Sequence, residues 1–328
     1  MPNRNIAIIG GGLAGTCLAK LFHEKDVRFH WYSDEISSAS HISSGILNPV
    51  TGRRYALAWN YDDLISIAKE FYGDFLVPIR LEKHFAPHKD EATIDKVILG
   101  KEKYLSKINE EWIEVKESYQ LRTNDFINFI IKSLNKNNQV INNEFNYTLL
   151  HNTENQWHYL GHVYDNIIFA EGIFIKNNPF FNYLPFQPNR GEALIIDIQE
   201  NKPSSVKKYG KFICPFGEKF WVGSSFDKVD FKAPLYTGKT KQDILDAIPK
   251  LIGDTSYQIT NHLGALRSTT PDRRPIIGEH PLHKGLYLFN GFGTKGASLI
   301  PWCAVSLICS IINKTELNKD IDIARIGS

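Results

Sequence analysis

The chain's opening residues constrain its fold more than any other stretch. An apolar run, Ile6-Ala7-Ile8-Ile9, leads into Gly10-Gly11-Gly12-Leu13-Ala14-Gly15 and then into Leu18, Ala19, Leu21 and Phe22 at helical spacing. That order predicts strand, glycine turn, helix. Gly10 permits the tight turn, Gly12 lets a phosphate approach the backbone without a Cβ in the way, and Gly15 lets the helix lie close on the strand. The free N–H groups and positive dipole end of such a helix suit a pyrophosphate. A second strand, Val27-Arg28-Phe29-His30-Trp31-Tyr32, follows, and Asp34 stands 19 residues beyond Gly15, close to the spacing of a ribose-binding carboxylate. The alternative for Asp34 is a solvated loop acid, because the end of the strand falls nearer Ser33.

At 328 residues the chain is long enough for two domains. Its 38 basic and 36 acidic side chains produce no large positive field, so charge does not imply nucleic acid, although a local patch remains compatible with it. Cys17, Cys214, Cys303 and Cys309 form no CxxC, which speaks against a zinc ribbon or a disulfide framework and fits a reducing cytosol. The N-terminal apolar run is too short for a signal peptide. Leu299 to Ile312, 14 residues including Pro301, reads as a buried helix too short to span a bilayer. The expectation is a cytoplasmic protein with no membrane span.

Beyond the second strand, Ser37 to Pro49 is small and polar and cannot pack a core. A loop at the carboxyl ends of such strands is where a cofactor lies. Arg53 and Arg54 follow, as solvated loop cations or as contacts for a polyanion. An amphipathic helix is predicted from about Asp62 to Phe75, and Val77 to Glu117 reads as mixed strand and charged helix, an insertion away from the cofactor. A helix capped by Thr123 or Asn124, a short strand at Val140-Ile141 and an apolar strand from Tyr164 to Gly172 return the chain to the first sheet. Arg190 to Phe231 alternates apolar and polar residues, as an antiparallel sheet with one wet face does. A helix near Lys241 to Leu251 comes next. The polar turn Pro271-Asp272-Arg273-Arg274 then rises into a strand, Gly285 to Asn290, and Gly291-Phe292-Gly293-Thr294-Lys295-Gly296 opens the last buried helix. This second glycine turn repeats the physics of the first. One helix start suits phosphates, and the other suits negative charge elsewhere on an extended cofactor, as a reduced flavin requires.

GGGLAG, the SSGILNP loop, Arg190-Gly191, ALRSTTPDRRPIIGEHP and LFNGFGTKGASLIP, in that order over nearly the full length, resemble the D-amino-acid oxidase superfamily of FAD enzymes. Within it the chain is similar to glycine oxidase, sarcosine oxidase and the C-terminal oxidase domain of the bifunctional enzyme that modifies 5-methylaminomethyl-2-thiouridine in tRNA. The last of these is favoured locally by WYSDE. The resemblance implies an α/β fold in which a Rossmann-like FAD-binding domain is interleaved with an α+β substrate domain built on an antiparallel sheet. The expected boundaries are 1–76, 118–184 and 272–328 for the first domain, with 77–117 and 185–271 for the second.

It further implies dissociable, non-covalent FAD, with Gly10, Gly12, Leu13, Ala14 and Gly15 at the pyrophosphate and Asp34 at the adenosine ribose. Phe145 would bring its backbone to adenine, and Ser44, Gly45 and Ile46 would run along the flavin. Gly172, Gly291 and Gly293 join the cofactor contacts, and Thr294, Lys295 and Gly296 lie beneath the flavin's pyrimidine end. Arg267 aligns with the arginine that grips a substrate carboxylate, a task suited to its guanidinium fork. The alternative for Arg267 is an ion pair with Asp272 or another acid. Lys295 is an electrostatic partner for the flavin, or a solvated lysine. The implied reaction oxidises the C–N bond of an amine or amino acid by hydride transfer to flavin N5, with O2 or another electron acceptor.

Two departures bear on the substrate and cofactor. Phe212 stands where glycine oxidase has a tyrosine, which puts glycine or sarcosine in doubt, and neither Ala265 nor Leu266 is the cysteine of a covalent flavin link. His84 and His88, interrupted by Pro87, and His158 and His162, without a glutamate, read as ordinary histidines, so no metal is expected. Two alternatives stand beside the amine oxidoreductase: a stand-alone tRNA-modifying FAD oxidase acting on a carboxymethylaminomethyl-type uridine, and a non-catalytic FAD-binding protein.

Overall fold

The computed structural model describes residues 4–33, 38–52, 54–86, 93–135, 139–154 and 156–327. Asp34, Arg53 and His88 lie outside the described residues.

The strand Asn5–Ile9 is central in a six-stranded sheet ordered Ile276–Glu279, Leu286–Asn290, Asn166–Phe169, Asn5–Ile9, Arg28–Tyr32, Val140–Ile141. All neighbours are parallel except the edge strand Ile276–Glu279. A parallel sheet is covered on both faces, and accordingly Ile6, Ala7 and Ile8 are 0% exposed. Ile6 and Ile8 join a core with the helices Leu13–Glu24, Thr123–Asn135 and Gly296–Asn313. Ala7 and Ile9 join another with Tyr159 and Tyr164 of a small antiparallel sheet. Each fully buried isoleucine contributes about 1.5–3 kcal/mol to keeping these layers together. From the central strand the chain moves to one side of the sheet and later returns on the other. The crevice that this reversal creates lies at the strand's carboxyl end, beside Gly10.

The second sheet has ten strands, and all its pairs are antiparallel except the junction of Val206–Tyr209 with Leu76–His84. Alternation along the strands sorts its side chains. Leu194, Ile196, Ile213 and Val222 pack under the helices Gly238–Leu245 and Ile248–Ile252. Asn189, Gly191 and Ala193 project to the other face, together with their cross-strand partners Arg267, Ala265 and Leu263. That face meets the loop that follows the first sheet's second strand: Trp221 Nε1 donates to Ile42 O at 2.9 Å and Gln120 Nε2 to Ser44 O at 2.9 Å.

Two expectations are revised. The helix near Lys241 to Leu251 is two short helices, and Pro249 sits in the first turn of the second, where its missing N–H costs least. Val77 to Glu117 supplies Leu76–His84 and the beginning of Trp112–Leu121 to the sheet that faces the loop. The closing helix is longer than Leu299 to Ile312, at 18 residues. Among the described residues it is the one helix long and apolar enough to cross a bilayer. Leu299, Ile300, Cys303, Leu307 and Ile311 are instead buried, and the helix packs on Leu13–Glu24 and Tyr61–Tyr72.

At Gly15 the first helix touches the strand that precedes it. A Cβ there would stand 2.0 Å from Gly10 O and 3.0 Å from Trp31 Nε1, whose N–H donates to that carbonyl at 2.9 Å. Gly15→Ala is expected to lower the unfolding free energy in urea by at least about 2 kcal/mol. Gly238→Ala, where a Cβ meets nothing within 4 Å, is expected to stay within about 0.5 kcal/mol of the parent.

Candidate active site

Gly10 is wedged between the carboxyl ends of the two strands flanking its own. Its N–H donates to Tyr32 O at 2.9 Å, its φ is +122°, and a Cβ would fall 2.5 Å from Ala170 O. Helix Leu13–Glu24 begins at this point with no acidic residue in its first turn and no side-chain cap from Gly12. Hydroxyls stand over that helix start: Leu13 N–H donates to Ser40 Oγ at 3.1 Å, and a Cβ on Gly12 would come within 3.4 Å of Ser38 Oγ. Ala14 and Gly15 continue the turn into the core. The structure thus brings Gly10, Gly12, Leu13, Ala14 and Gly15 together at one edge of the parallel sheet.

The second glycine turn occupies the same edge, two strands away. Asn290 Nδ2 donates to Gly172 O at 2.8 Å and its Oδ1 accepts from Gly291 N–H at 2.7 Å, which ties the ends of two neighbouring parallel strands together. Between Ala170 and Gly172, Glu171 accepts from Tyr147 Oη and from Asn178 Nδ2. Gly291 and Gly293 have φ of +85° and +55°, and Cβ atoms there would press on Thr270 Cγ2 and Thr269 Cγ2. Gly293 N–H donates to Ser268 O at 3.0 Å. This bond fastens the turn to the strand that carries Arg267. Thr294 and Lys295 are exposed, and Gly296 opens the closing helix without a side-chain cap. Desolvation of the Lys295 ammonium lowers its pKa, and repulsion from Arg274 and Arg273 lowers it further.

The carbonyls of Ser44 and Gly45 are already satisfied, the first by Gln120 Nε2 and the second by Leu121 N–H at 2.8 Å. Gly45 has φ +67° and lies so close that a Cβ would be 2.0 Å from Leu121 O. Ile46 pairs with Gln120. Phe145 is a core residue, stacked on Tyr159 at 4.2 Å and edge-on to Tyr32 at 5.7 Å, near the carboxyl end of the second strand.

Arg267 lies across Gly191: a Cβ on that glycine would stand 1.9 Å from the arginine's Nη2. Its Nη1 donates to Asn189 Oδ1 at 2.9 Å and to Ser225 O at 3.3 Å, and its Nη2 donates to Ser224 Oγ at 2.8 Å. All three acceptors are neutral. Among the described residues no carboxylate stands within 4.0 Å of the guanidinium, and Asp272, the expected acid, pairs with Arg325 at 3.1 Å. Desolvation lowers the pKa of Arg267 to about 10 against an opposing pull from Asp227, so the group is still cationic at neutral pH.

Arg190 has a different task. It sits on the opposite face with Glu192 at 3.3 Å and Asp227 at 3.2 Å, and Glu192 is fully buried and also lies 3.0 Å from His262 Nε2. Asn189, Ser224 and Gln120 escaped the sequence reading. Register alone brings them to their partners, although the quoted Arg190-Gly191 adjoins one of them.

A parallel sheet with two glycine-led helix starts at one edge, facing an antiparallel sheet that carries a desolvated cation, defines a dinucleotide-dependent oxidoreductase. The chain belongs to the FAD dependent oxidoreductase (DAO) family, whose model matches residues 5–308. It is 29% identical over 123 residues to glycine oxidase of Pseudomonas putida, a match covering 36% of this chain and 33% of that protein. It is 26% identical over 145 residues to the tRNA 5-methylaminomethyl-2-thiouridine biosynthesis bifunctional protein of Idiomarina loihiensis, covering 42% of this chain and 24% of that protein. The matches therefore span a third or less of either curated relative. In fold it is similar to the crystal structure of glycine oxidase from Geobacillus kaustophilus, with a TM-score of 0.76, 16% identity and 98% of each chain covered. The residues fit FAD, because neither helix start is capped by the side chain of its own N-cap residue, and both turns hold glycines where a side chain would strike backbone, serine hydroxyls or threonine methyls; of the first helix's amides, Leu13 N–H is held by Ser40 Oγ.

Gly191→Ala is expected to displace the Arg267 guanidinium while leaving both glycine turns intact. Calorimetry should then show FAD affinity within a factor of about two of the parent and binding of simple carboxylates weakened roughly tenfold or more.

Proposed function

We propose that the enzyme oxidises the C–N bond of an amine or amino acid that bears a carboxylate, and that Arg267 holds this carboxylate. One observation carries the reading: a charged, desolvated guanidinium is fixed by neutral acceptors alone, with a glycine beneath it in place of a side chain. A half-buried, desolvated cation without a carboxylate in contact is costly, and a bound carboxylate would offset that cost with charge-assisted hydrogen bonds.

Non-covalently bound FAD would supply the two-electron acceptor, with O2 or another oxidant restoring it. The amides of Gly12 to Gly15 would hold its pyrophosphate, with Asp34 at the ribose and backbone near Phe145 at adenine. Ser44 to Ile46 would run along the ring, Gly172, Gly291 and Gly293 would admit it, and Thr294 to Gly296 would lie at its pyrimidine end. Lys295 and the closing helix's positive end would offset negative charge there. Arg267 orients the substrate by charge-assisted hydrogen bonds from the N–H groups that Asn189, Ser224 and Ser225 leave free, while Trp221 and Phe212 exclude water. Phe212 provides no hydroxyl to a small substrate. The proposed division assigns 1–76, 118–184 and 272–328 to FAD and 77–117 and 185–271 to the substrate. Its four cysteines are unpaired, three of them buried, which supports a cytoplasmic setting.

A second reading, oxidation of a carboxymethylaminomethyl-type uridine in tRNA, is supported by the similarity to the Idiomarina protein. It predicts salt-sensitive RNA binding that disappears in Arg53→Ala/Arg54→Ala.

Anaerobic titration of the FAD-loaded enzyme with a panel of amines and amino acids is expected to bleach the flavin with carboxylated members. Arg267→Met should retain FAD and bind those substrates roughly thirtyfold more weakly, a loss of about 2 kcal/mol. Flavin that stays oxidised against the whole panel, or FAD lost from the variant, would contradict the assignment.

A further inference from the structure

Two lysines share the face of the second sheet that carries Arg267. Cross-strand register runs from Ala193 to Gly223, from Gly223 to Phe212, from Phe212 to Lys208, and from Lys208 to Lys83. Paired residues project to one face, so this row is continuous with Gly191 and Asn189 beneath Arg267. The spacing is short at the Arg267 end, because Ser224, which accepts from its Nη2, adjoins Gly223.

The two lysines differ in how they are satisfied. Lys83 is 8% exposed, donates to Gly52 O at 2.8 Å and lies 3.7 Å from the centre of the Tyr55 ring. Lys208 is half-buried, and its Nζ has the Phe212 ring at 4.3 Å but, among the described residues, no hydrogen-bond acceptor and no carboxylate. The nearest acid in register, Glu82, alternates to the opposite face, where it pairs with Arg80 at 3.1 Å. Desolvation lowers the Lys208 ammonium to about 8, and Lys83 falls to about 7 through burial and the charge of Lys208. Like charges on paired positions destabilise a sheet; loss of the Lys83 proton relieves the repulsion here, and an anion joining the pair would restore both charges.

We propose that Lys208, with Lys83 behind it, is a second anion-binding point of the substrate site. The substrate accordingly carries a further acidic group, carboxylate or phosphate, in addition to the carboxylate on Arg267. This inference rests on the function proposed above and narrows it: the amine is a diacid rather than a simple amino acid, and the hydroxyl-free Phe212 forms the apolar span between its two charged ends.

The test is the ratio of affinities of the FAD-loaded enzyme for butyrate, glutarate and 4-phosphonobutyrate, read by calorimetry and by the difference absorbance of the flavin. Glutarate or 4-phosphonobutyrate is expected to bind at least about tenfold more tightly than butyrate, and whichever of the two is favoured identifies the second group. Lys208→Met should collapse that ratio to about one, whereas Lys208→Arg, which keeps the charge, should preserve it. Equal affinity for mono- and dianions in the parent, or a Lys208→Met variant that loses butyrate and glutarate in equal proportion, would overturn the proposal while leaving the Arg267 reading in place. Failure of butyrate and both dianions to bind the parent would overturn both.

Discussion

Close approach of backbone to backbone at the carboxyl edge of the parallel sheet is the constraint from which the rest of the site follows. Gly10 fits between Tyr32 and Ala170, Gly15 lies on the carbonyl of Gly10, and Asn290 ties Gly172 to Gly291. A side chain at Gly10 or Gly15 would collide with main-chain atoms. The result is two helix starts at one edge, neither capped by the side chain of its own N-cap residue, with the Ser40 hydroxyl on the first amide of one of them. Uncapped amides at a crevice favour an anionic ligand and leave the edge incompletely satisfied without one.

The second sheet is registered to this edge rather than merely placed beside it. Gly293 N–H on Ser268 O couples the second glycine turn to the strand of Arg267, while Trp221 and Gln120 reach the loop backbone at Ile42 and Ser44. The glycine-turn edge and the strand of Arg267 are therefore positioned by the same few hydrogen bonds. Arg267 is itself held without an acid, so its charge is available to a ligand, whereas Arg190, one residue pair away on the opposite face, is neutralised by Glu192 and Asp227. Two arginines on neighbouring strands thus differ in their partners, one neutralised by carboxylates and one held by neutral acceptors, because alternation sends them to different faces.

Much of this was legible in the sequence where the determinants are local. Glycines next to an apolar run and a helical period announced both turns, and alternation announced the antiparallel sheet. What depended on register was not legible. Gly191 as the floor for Arg267, Asn189 and Ser224 as its holders, and Lys208 beside Phe212 arise from pairings between strands far apart in the chain, including the parallel contact of Val206–Tyr209 with Leu76–His84. For the same reason the partners of the strands within Val77 to Glu117 were not legible, although those strands complete the sheet. Local period also overran at Lys241 to Leu251, where a second helix begins beside Pro249, while the closing helix starts at Gly296, as the glycine turn indicated, ahead of its apolar tract.

A crystal structure of the FAD-loaded enzyme with a bound carboxylate ligand tests the central claim most directly. The account predicts the pyrophosphate on the amides of Gly12 to Gly15, the pyrimidine end of the flavin at Thr294 to Gly296, and the ligand's carboxylate on the guanidinium of Arg267. A flavin that reaches one glycine turn but not the other, or a carboxylate bound away from Arg267, would contradict it.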